Sequence, residues 1–252
     1  MGQTWTTLKH TAYNLRLGLG GIGSPALDFH ADGYLQNNAR RLEHLATLSL
    51  PLAGKTVLEL GAGIGDHSHF YLDRGCLVTI TEPRARNLRY LRRRYPGADV
   101  RALDVEHPAP LAGGPFEVTH SYGLLYHLGR PAEALDFMAG HTAGLLLLET
   151  RVSFGAEDEP HVVEEHAANP TQAASGRGCR PTRVWVWNRL RSLFPHVYVP
   201  RTQPNHAEFP LDWTRPDLHA APLQRAIFVA SRQPLDLPAL APTLLDRQDR
   251  HP

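Results

Sequence analysis

The sequence predicts an α/β protein built on a doubly wound, mostly parallel sheet with helices on both faces. Three observations lead to this fold class. Apolar runs of strand length alternate with segments of helical periodicity between residues 34 and 150. The first run ends in an acid and breaks into three alternating glycines, as at a turn from a strand into a helix. The fifth run, Gly144 to Thr150, is almost continuously apolar, as in a strand buried on both faces.

The composition fits one globular domain and argues against two classes of partner. A chain of 252 residues is long enough to bury a full core, and an α/β sheet of this size usually forms one domain. The 26 lysines and arginines balance 25 acids, so the charge does not favour nucleic acid or an anionic membrane. No apolar run approaches the length that spans a bilayer.

The N-terminal segment and the cysteines indicate the same cellular location. Met1 to Trp5 lacks the basic and apolar pattern of a secretory leader. Cys76 and Cys179 have no partner at metal-site or redox-motif spacing, and two cysteines do not form a disulfide framework in a chain of this length. We therefore expect a protein of the cytoplasm.

The glycine turn from Gly61 to Gly65 is the first candidate binding element. It follows Glu59, and its pattern is Gly-x-Gly-x-Gly. Glycines allow backbone amides to come close to a ligand. A dinucleotide-binding turn would be Gly-x-Gly-x-x-Gly, but Asp66 occupies the position of its third glycine. A structural turn without a cofactor is the other alternative.

Acidic residues follow the next two strands at the same predicted edge of the sheet. Glu82 ends the second run about twenty residues after Gly61, where an acid is placed to accept hydrogen bonds from both ribose hydroxyls of a nucleoside. Asp104 follows the third run, Val100 to Leu103. Because the carboxyl ends of parallel strands meet at one edge, we expect these side chains to converge.

A fourth strand leads into a loop that ends in Leu125, Tyr126 and His127. Together, the four segments resemble the motifs of the class I S-adenosylmethionine-dependent methyltransferases, closely over residues 34–150 and loosely over the last strands. In that family an Asp after the third strand binds the adenine amino group. Ser121 or His120 stands where the family usually has Asp or Asn, so members that hold a substrate amine with that acid are weaker models.

The resemblance implies S-adenosylmethionine as the cofactor and a seven-stranded sheet with an antiparallel last strand. We expect the two final strands at residues 196–199 and 225–230. The resemblance also implies a set of cofactor-binding residues: Glu59, Gly61, Ala62, Gly63, Gly65, Glu82, Pro83, Asp104, Val105, Ser121 and Tyr122.

The segments outside the central repeat have separate expected roles. We expect residues 1–33 to form a flexible arm, residues 34–232 a single domain, and residues 233–252 a tail that straps the surface. Helical spacing over residues 34–48 predicts an extra N-terminal helix, which in the family often covers the cofactor. Residues 152–180 lack periodicity and are too long for an ordinary connector, so we expect a substrate-facing insertion there.

His127 is the best-placed catalytic candidate. Methyl transfer from a sulfonium is a displacement at carbon, so the protein mainly holds the reacting atoms in line, and a base is optional. In the family, the loop after the fourth strand lines the methyl-donor pocket. Glu149, at the end of the fifth strand, is either a base or a strand-terminal acid.

Three residues of the last third of the chain are candidates for the substrate site. Arg177 and Arg180 precede a predicted helix at residues 181–194, and guanidinium beside a helix start suits a carboxylate or phosphate; surface arginine is the alternative. His206 follows the penultimate strand. The run His161 to His166 matches no metal-binding motif, so we expect no metal.

The sequence thus predicts an enzyme that transfers a methyl group from S-adenosylmethionine to the O, N or C nucleophile of a small molecule. An RNA-modifying methyltransferase is one alternative, which the neutral composition does not favour. A nicotinamide-dependent reductase and a cofactor-binding protein without turnover are two others. The sequence leaves a homodimer open.

Overall fold

The computed structural model describes residues 24–156, 159–169, 171–219 and 223–252. Its strands are β1 Thr56–Glu59, β2 Leu77–Glu82, β3 Asp99–Ala102, β4 Phe116–Tyr122, β5 Thr142–Ser153, β6 His161–Glu164, β7 Arg177–Arg180, β8 His196–Pro200, β9 Thr202–Gln203, β10 Leu223–Ser231, β11 Leu240–Ala241 and β12 Asp249–Arg250. Eight of them form one sheet in the order β11-β8-β10-β5-β4-β1-β2-β3.

The sheet confirms the predicted fold class and adds one strand to it. The pairs β3–β2, β2–β1, β1–β4 and β4–β5 are parallel, and β10 runs antiparallel to β5 over its nine residues. β8 is antiparallel to β10. These are the seven expected strands; the eighth, β11, comes from the C-terminal tail and extends the edge beyond β8.

Helices cover both faces of the sheet. In chain order they are α1 Ala26–Phe29, α2 Asp32–Thr47, α3 Ser68–Leu72, α4 Ala85–Arg94, α5 Pro131–Gly140 and α6 Arg183–Leu193, with short 3-10 turns at Leu125–His127 and Pro216–Leu218. α6 begins after the proline that the sequence suggested as its start, because the Thr182 hydroxyl caps the helix by accepting from the Trp185 N–H at 3.0 Å.

Adjacent strand residues alternate between two apolar layers. Leu58 and Leu148 belong to one buried cluster, and their neighbours Val57 and Leu147 belong to the other. Side chains alternate between the faces of a strand, so a strand that is apolar at every position needs cover on both sides. The layered core therefore explains the continuous apolar runs in the sequence.

The described parts of the expected arm, insertion and tail contain regular secondary structure. Residues 1–23 of the arm lie outside the described residues, but α1 follows them and buries Phe29. The insertion contains an antiparallel hairpin of β6 and β7. The tail contributes β11 and also β12, which pairs with β9, so it is part of the fold as well as a surface strap. Within the described ranges, no helix combines the length and the apolarity that a bilayer span requires.

Candidate active site

The glycine turn adopts a backbone that only glycine accommodates without strain. Gly61, Gly63 and Gly65 have φ angles of +64°, +60° and +80°, in the left-handed region. A Cβ at Gly63 would lie 2.7 Å from the ring of Phe29. The turn is fixed to the sheet because the Ala62 N–H donates to the Thr81 carbonyl at 2.9 Å. The backbone of the turn is thereby held at the carboxyl ends of β1 and β2.

Glu82 connects the glycine turn to the second strand. Its Oε2 accepts from the Gly63 N–H at 3.0 Å, and its Oε1 accepts from the Arg84 N–H at 3.0 Å and from Asn87 Nδ2 at 3.1 Å. These hydrogen bonds lower the pKa of Glu82, but burial outweighs them and raises it to about 7. The carboxylate therefore both shapes the turn and presents an acceptor at the strand end.

Most of the predicted cofactor residues line one cleft. Its empty volume, which includes space open to solvent, is about 760 Å³. The predicted cofactor residues that line it are Gly61, Gly63, Glu82, Pro83, Asp104, Val105 and Tyr122. They come from the ends of β1, β2, β3 and β4, which converge as the parallel topology requires.

A second, smaller cleft adjoins the first. Phe29, Tyr34, Gly61 and Tyr122 line both clefts. Glu59 and Ala62, also predicted to bind the cofactor, line only the second cleft. The second cleft is also lined by buried polar side chains of Asn38, Arg41 and His67, which the sequence did not single out, and of His120, noted at the end of the fourth predicted strand.

Two predicted cofactor residues lie behind the surface of the clefts. Gly65 packs against Tyr95, whose hydroxyl donates to the Gly65 carbonyl at 2.6 Å. Ser121 is fully buried, and its hydroxyl has no hydrogen-bond partner among the described residues. Neither residue is among those that line the two clefts.

His127 lines the first cleft and is held by the insertion. Its Nδ1 lies 2.6 Å from Glu165 Oε2, and Glu165 Oε1 pairs with Arg180 at 3.4 Å. Burial lowers the pKa of His127, but Tyr126 and Glu165 outweigh that effect and the net shift is upward. The Glu165 carboxylate orients the ring through Nδ1, and the expected role of His127 as a base stays a prediction.

The predicted substrate residues do not form an anion clamp in this structure. Arg180 is engaged by Glu165 and by the Cys179 carbonyl at 2.8 Å. Arg177 is exposed. It lies close to Gly129, since a Cβ added to that glycine would be 3.1 Å from the Arg177 Cβ. His206 accepts from the Glu208 N–H at 3.2 Å. None of these three is among the residues that line the two clefts.

Tyr126 is a further candidate for a reactive residue. The sequence analysis named it only as the neighbour of His127. It lines the first cleft, and its ring centroid lies 4.0 Å from that of His127. Arg225 Nη2 approaches its hydroxyl at 3.5 Å. Burial alone would raise the pKa of Tyr126, but Arg225, His127 and Arg41 lower the pKa to about 7. The arrangement therefore supplies a phenolate near neutral pH.

A buried ion-pair network lies behind Tyr126. Glu149, fully buried, pairs with Arg41 at 3.2 Å and with Arg225 at 3.0 Å. Arg225 also pairs with Glu208, which accepts from Arg151 at 2.7 Å. Glu149 lies within β5 and not at its end, and its two oxygens face guanidinium groups, so it acts as a buried ion-pair partner.

The residues that the sequence analysis missed are far apart along the chain. Arg41 comes from α2, Glu165 from the insertion, and Arg225 from β10. Each is an ordinary charged residue in its local sequence. The one signal available was the length of the insertion, which predicted a function for it but no residue.

The sequence comparisons find a relative over about half of the chain. It is 33% identical over 138 residues, which are 51% of this chain, to the tRNA U34 carboxymethyltransferase of Edwardsiella ictaluri (strain 93-146). The chain spans 41% of the length of that relative. No family model matches the sequence.

Solved structures resemble the chain over most of its length. The N-terminal domain of EvdMO1, solved with S-adenosylhomocysteine and D-fucose, has a TM-score of 0.62 and 20% identity, over 79% of this chain and 84% of that one. The 1,6-didemethyltoxoflavin-N1-methyltransferase of Burkholderia thailandensis, with bound 1,6-didemethyltoxoflavin and S-adenosylhomocysteine, has a TM-score of 0.51 and 16% identity, over 93% and 91%.

A third solved structure is an S-adenosylmethionine-dependent methyltransferase of Mesorhizobium loti, with a TM-score of 0.56 and 16% identity over 78% of this chain and all of that one. At these identities the likeness establishes the fold. It confirms what the motifs predict: the chain has the fold of the class I S-adenosylmethionine-dependent methyltransferases.

Proposed function

We propose that the chain binds S-adenosylmethionine in the first cleft and transfers its methyl group to a small-molecule acceptor. The observation that supports this most is the convergence of Gly61, Glu82, Asp104 and Tyr122, from four successive strand ends, on one cleft. The cofactor supplies a methyl group on a positively charged sulfur, and S-adenosylhomocysteine is the product.

The residues of the cleft fit this cofactor. The turn at Gly61 and Gly63 has no side chain to separate its backbone from a ligand. The Asp104 side chain is 42% exposed and can accept from an amine. The Tyr122 hydroxyl is buried without a partner among the described residues, and a buried polar atom of this kind is satisfied when a ligand supplies the partner. Pro83 and Val105 complete the wall of this cleft. Glu59 and Ala62 line the adjoining second cleft, and Gly65 and Ser121 lie behind the two clefts.

Tyr126 is our proposed proton acceptor, and His127, the base expected from the sequence, is proposed to position it. An acceptor that enters beside Tyr126 gives up its proton to the phenolate oxygen as the nucleophile attacks. His127, held by Glu165, lies beside the Tyr126 ring and contributes to the lowered pKa of its hydroxyl. A carbon nucleophile needs only the positioning. Arg177, exposed beside Gly129, and Arg180 and His206 stay our proposed contacts for the rest of the acceptor.

A second candidate function is group transfer to tRNA, and two observations favour it. One is the tRNA-modifying relative over half of the chain. The other is a local basic face: Arg89, Arg92 and Arg93 are exposed on α4, at spacings that place them together on a helix. A neutral total charge does not exclude such a patch.

Calorimetric titration is the first test. The protein is titrated in parallel with S-adenosylmethionine, S-adenosylhomocysteine and reduced nicotinamide cofactors, and we expect micromolar binding of the two sulfur ligands alone. Binding of a nicotinamide instead would support the reductase alternative and overturn the proposal. Binding of the sulfur ligands without any turnover in an acceptor screen would favour the cofactor-binding alternative.

The tRNA alternative has its own test. Unmodified tRNA is titrated at several salt concentrations into the wild type and into the triple variant Arg89→Glu, Arg92→Glu, Arg93→Glu. Phosphate contacts would give affinity that falls steeply with salt and is lost in the variant. Absence of salt-dependent binding by the wild type would leave the small-molecule acceptor as the proposal.

We also propose that the predicted domain, residues 34–232, acts as one unit together with the tail strands β11 and β12, with residues 152–180 facing the acceptor. The proposed location is the cytoplasm, where Cys76 and Cys179, both free, would stay reduced.

A further inference from the structure

Three side chains of types that commonly bind metals lie close together at the second cleft, although the sequence contains no metal-binding motif. Glu59 ends β1, His67 lies in the turn before α3, and His120 lies in β4. One donor atom from each lies within 4.8 Å of the donor atoms of the other two. All three side chains are buried and line the second cleft.

The distance between the two imidazoles matches two ligands of one tetrahedral ion. His67 Nδ1 lies 3.2 Å from His120 Nε2. Bonds of about 2.0–2.1 Å to a tetrahedral zinc ion place two nitrogen ligands roughly 3.3 Å apart. An ion can therefore take its place between these atoms with little movement of either ring.

The far side of each imidazole has a partner, as metal-binding histidines require. His67 Nε2 lies 3.2 Å from Asn38 Oδ1, and His120 Nδ1 lies 2.8 Å from the Tyr71 hydroxyl. Asn38 Oδ1 also accepts from Arg41 at 3.2 Å. Since a guanidinium only donates, this Asn38 atom is the oxygen, so His67 donates through Nε2 and a neutral His67 has a free lone pair at Nδ1.

The buried carboxyl group of Glu59 has no cationic partner among the described residues. The side-chain hydrogen bond that the structure gives its carboxylate comes from the Ser68 hydroxyl at 2.5 Å. Among the described residues, no cationic side chain forms an ion pair with it; Arg41, on the wall of the same cleft, pairs with Glu149. A buried carboxylate without a counter-charge is costly.

We propose that Glu59, His67 and His120 bind a divalent transition-metal ion of the Zn²⁺ class, with the fourth coordination position facing the second cleft. Two imidazoles and a carboxylate are ligands that Zn²⁺ prefers. The hydrogen on His120 Nε2, which the metal-free chain donates to His67, moves to His120 Nδ1. The Tyr71 hydroxyl then turns to accept it, so the imidazoles neither gain nor lose a proton. The ion would join β1, the turn before α3 and β4 beneath the glycine loop.

Cobalt spectroscopy on the full-length chain tests the site without any need for the cofactor. Metal-free protein is titrated with Co²⁺, and we expect the visible absorption of a four-coordinate ion to saturate at one equivalent and to disappear when Zn²⁺ is added. His67→Ala and His120→Ala should each weaken this binding by more than about a hundredfold, and Asn38→Ala by about ten- to a hundredfold.

The matched control is His44→Ala, because His44 is fully buried but lies outside the cluster, with Nε2 at 2.9 Å from the Thr202 carbonyl. It should keep the spectrum. The proposal is overturned if the wild type shows no four-coordinate Co²⁺ spectrum, or if His67→Ala and His120→Ala retain it.

A second measurement covers the case in which these variants do not fold. Anomalous scattering from crystals of the wild type soaked in Zn²⁺ locates the ion directly. Density between His67 and His120 supports the proposal, and zinc found only at others of the 15 histidines overturns it.

Discussion

The two sides of the first cleft are assembled in different ways. The glycine side, which comprises Gly61, Gly63, Glu82 and Asp104, is built from strand ends whose contacts are short in sequence, such as that of Glu82 with Arg84 and Asn87. The charged side is built from pairs that are far apart: His127 with Glu165, 38 residues away, and Arg225 with Glu149, 76 residues away.

This difference shows how one cleft divides its tasks. The glycine side is determined by the parallel sheet, whose strand ends meet at one edge. The charged side depends on α2, the insertion and β10 packing together, so a change in any of them alters it. The first side suits a common cofactor, and the second suits an acceptor that differs between enzymes. The predictions below test that division.

The largest effect is expected on the charged side, as a loss of stability. Arg225→Ala leaves Glu149 with one ion-pair partner and Glu208 without its contact from β10, and breaking a buried pair of this kind costs about 3–5 kcal/mol. Urea unfolding of the two proteins measures it. Arg215→Ala is the control, because its pair with Asp217 is exposed on both sides and should contribute little. Equal midpoints for Arg225→Ala and the wild type would show that the network does not stabilise the fold.

The next effect is on turnover. Tyr126→Phe removes the proposed proton acceptor and keeps the ring, so methyl transfer to a phenol or amine acceptor should fall by about a hundredfold. Formation of S-adenosylhomocysteine measures the rate, and calorimetry should show unchanged cofactor affinity. Tyr90→Phe, on α4, is the control. A wild-type rate in Tyr126→Phe would mean that the charged side only positions the acceptor.

On the glycine side, the change is expected in affinity. Glu82→Ala removes a carboxylate that faces the cleft and holds Gly63, and charge-assisted hydrogen bonds contribute roughly 1.5–3 kcal/mol each. We therefore expect S-adenosylmethionine to bind about ten- to a hundredfold more weakly in calorimetry. Glu117→Ala changes an acid of β4 that instead pairs with Lys55, at 2.7 Å, and should bind normally. Unchanged affinity in Glu82→Ala would exclude the ribose assignment.

The smallest effect is spectroscopic and needs no acceptor. With its folded pKa at about 7, Tyr126 should gain phenolate absorption about tenfold between pH 6 and pH 8, and Tyr126→Phe should lack that change. His127→Ala should move it to higher pH, because a nearby cation is lost. No ultraviolet change below pH 9 would show that Tyr126 stays neutral.

The same pKa sets the direction of a stability change. The folded pKa of Tyr126 lies below the value of about 10 for an unfolded tyrosine. Its contribution to stability is therefore complete above pH 10 and is lost as the pH falls through about 7.

The sequence predicted the glycine side more completely than the charged side for a physical reason. A strand, a glycine turn and a following acid are local patterns, so Gly61 and Glu82 could be predicted from spacing, and the family resemblance added Asp104. The pairing of His127 with Glu165 depends on where the β6–β7 hairpin packs, and no local pattern encodes that position. The fold class could be predicted because strands and helices alternate along the chain. The strand β11 was missed because two residues in a proline-rich tail are too few to show a periodic pattern.

Two predicted site residues share a partner that no local pattern reveals. Glu165 lies beside Arg180, which carries the positive charge that an anionic substrate would need. The same carboxylate lies at Nδ1 of His127 and orients its ring. The predicted roles of both residues therefore depend on a side chain that is distant in sequence.

The short strand β11 also bears on how the chain avoids aggregation. An open strand edge offers unpaired backbone groups to other chains. At one end of the sheet, β3 carries Asp99 and Arg101, whose charges discourage such pairing. At the other end β8 is largely buried and apolar, and Leu240 and Ala241 cover its edge. A chain cut near Gln233 would expose that edge and form intermolecular β-structure, so the tail acts as built-in protection against self-association.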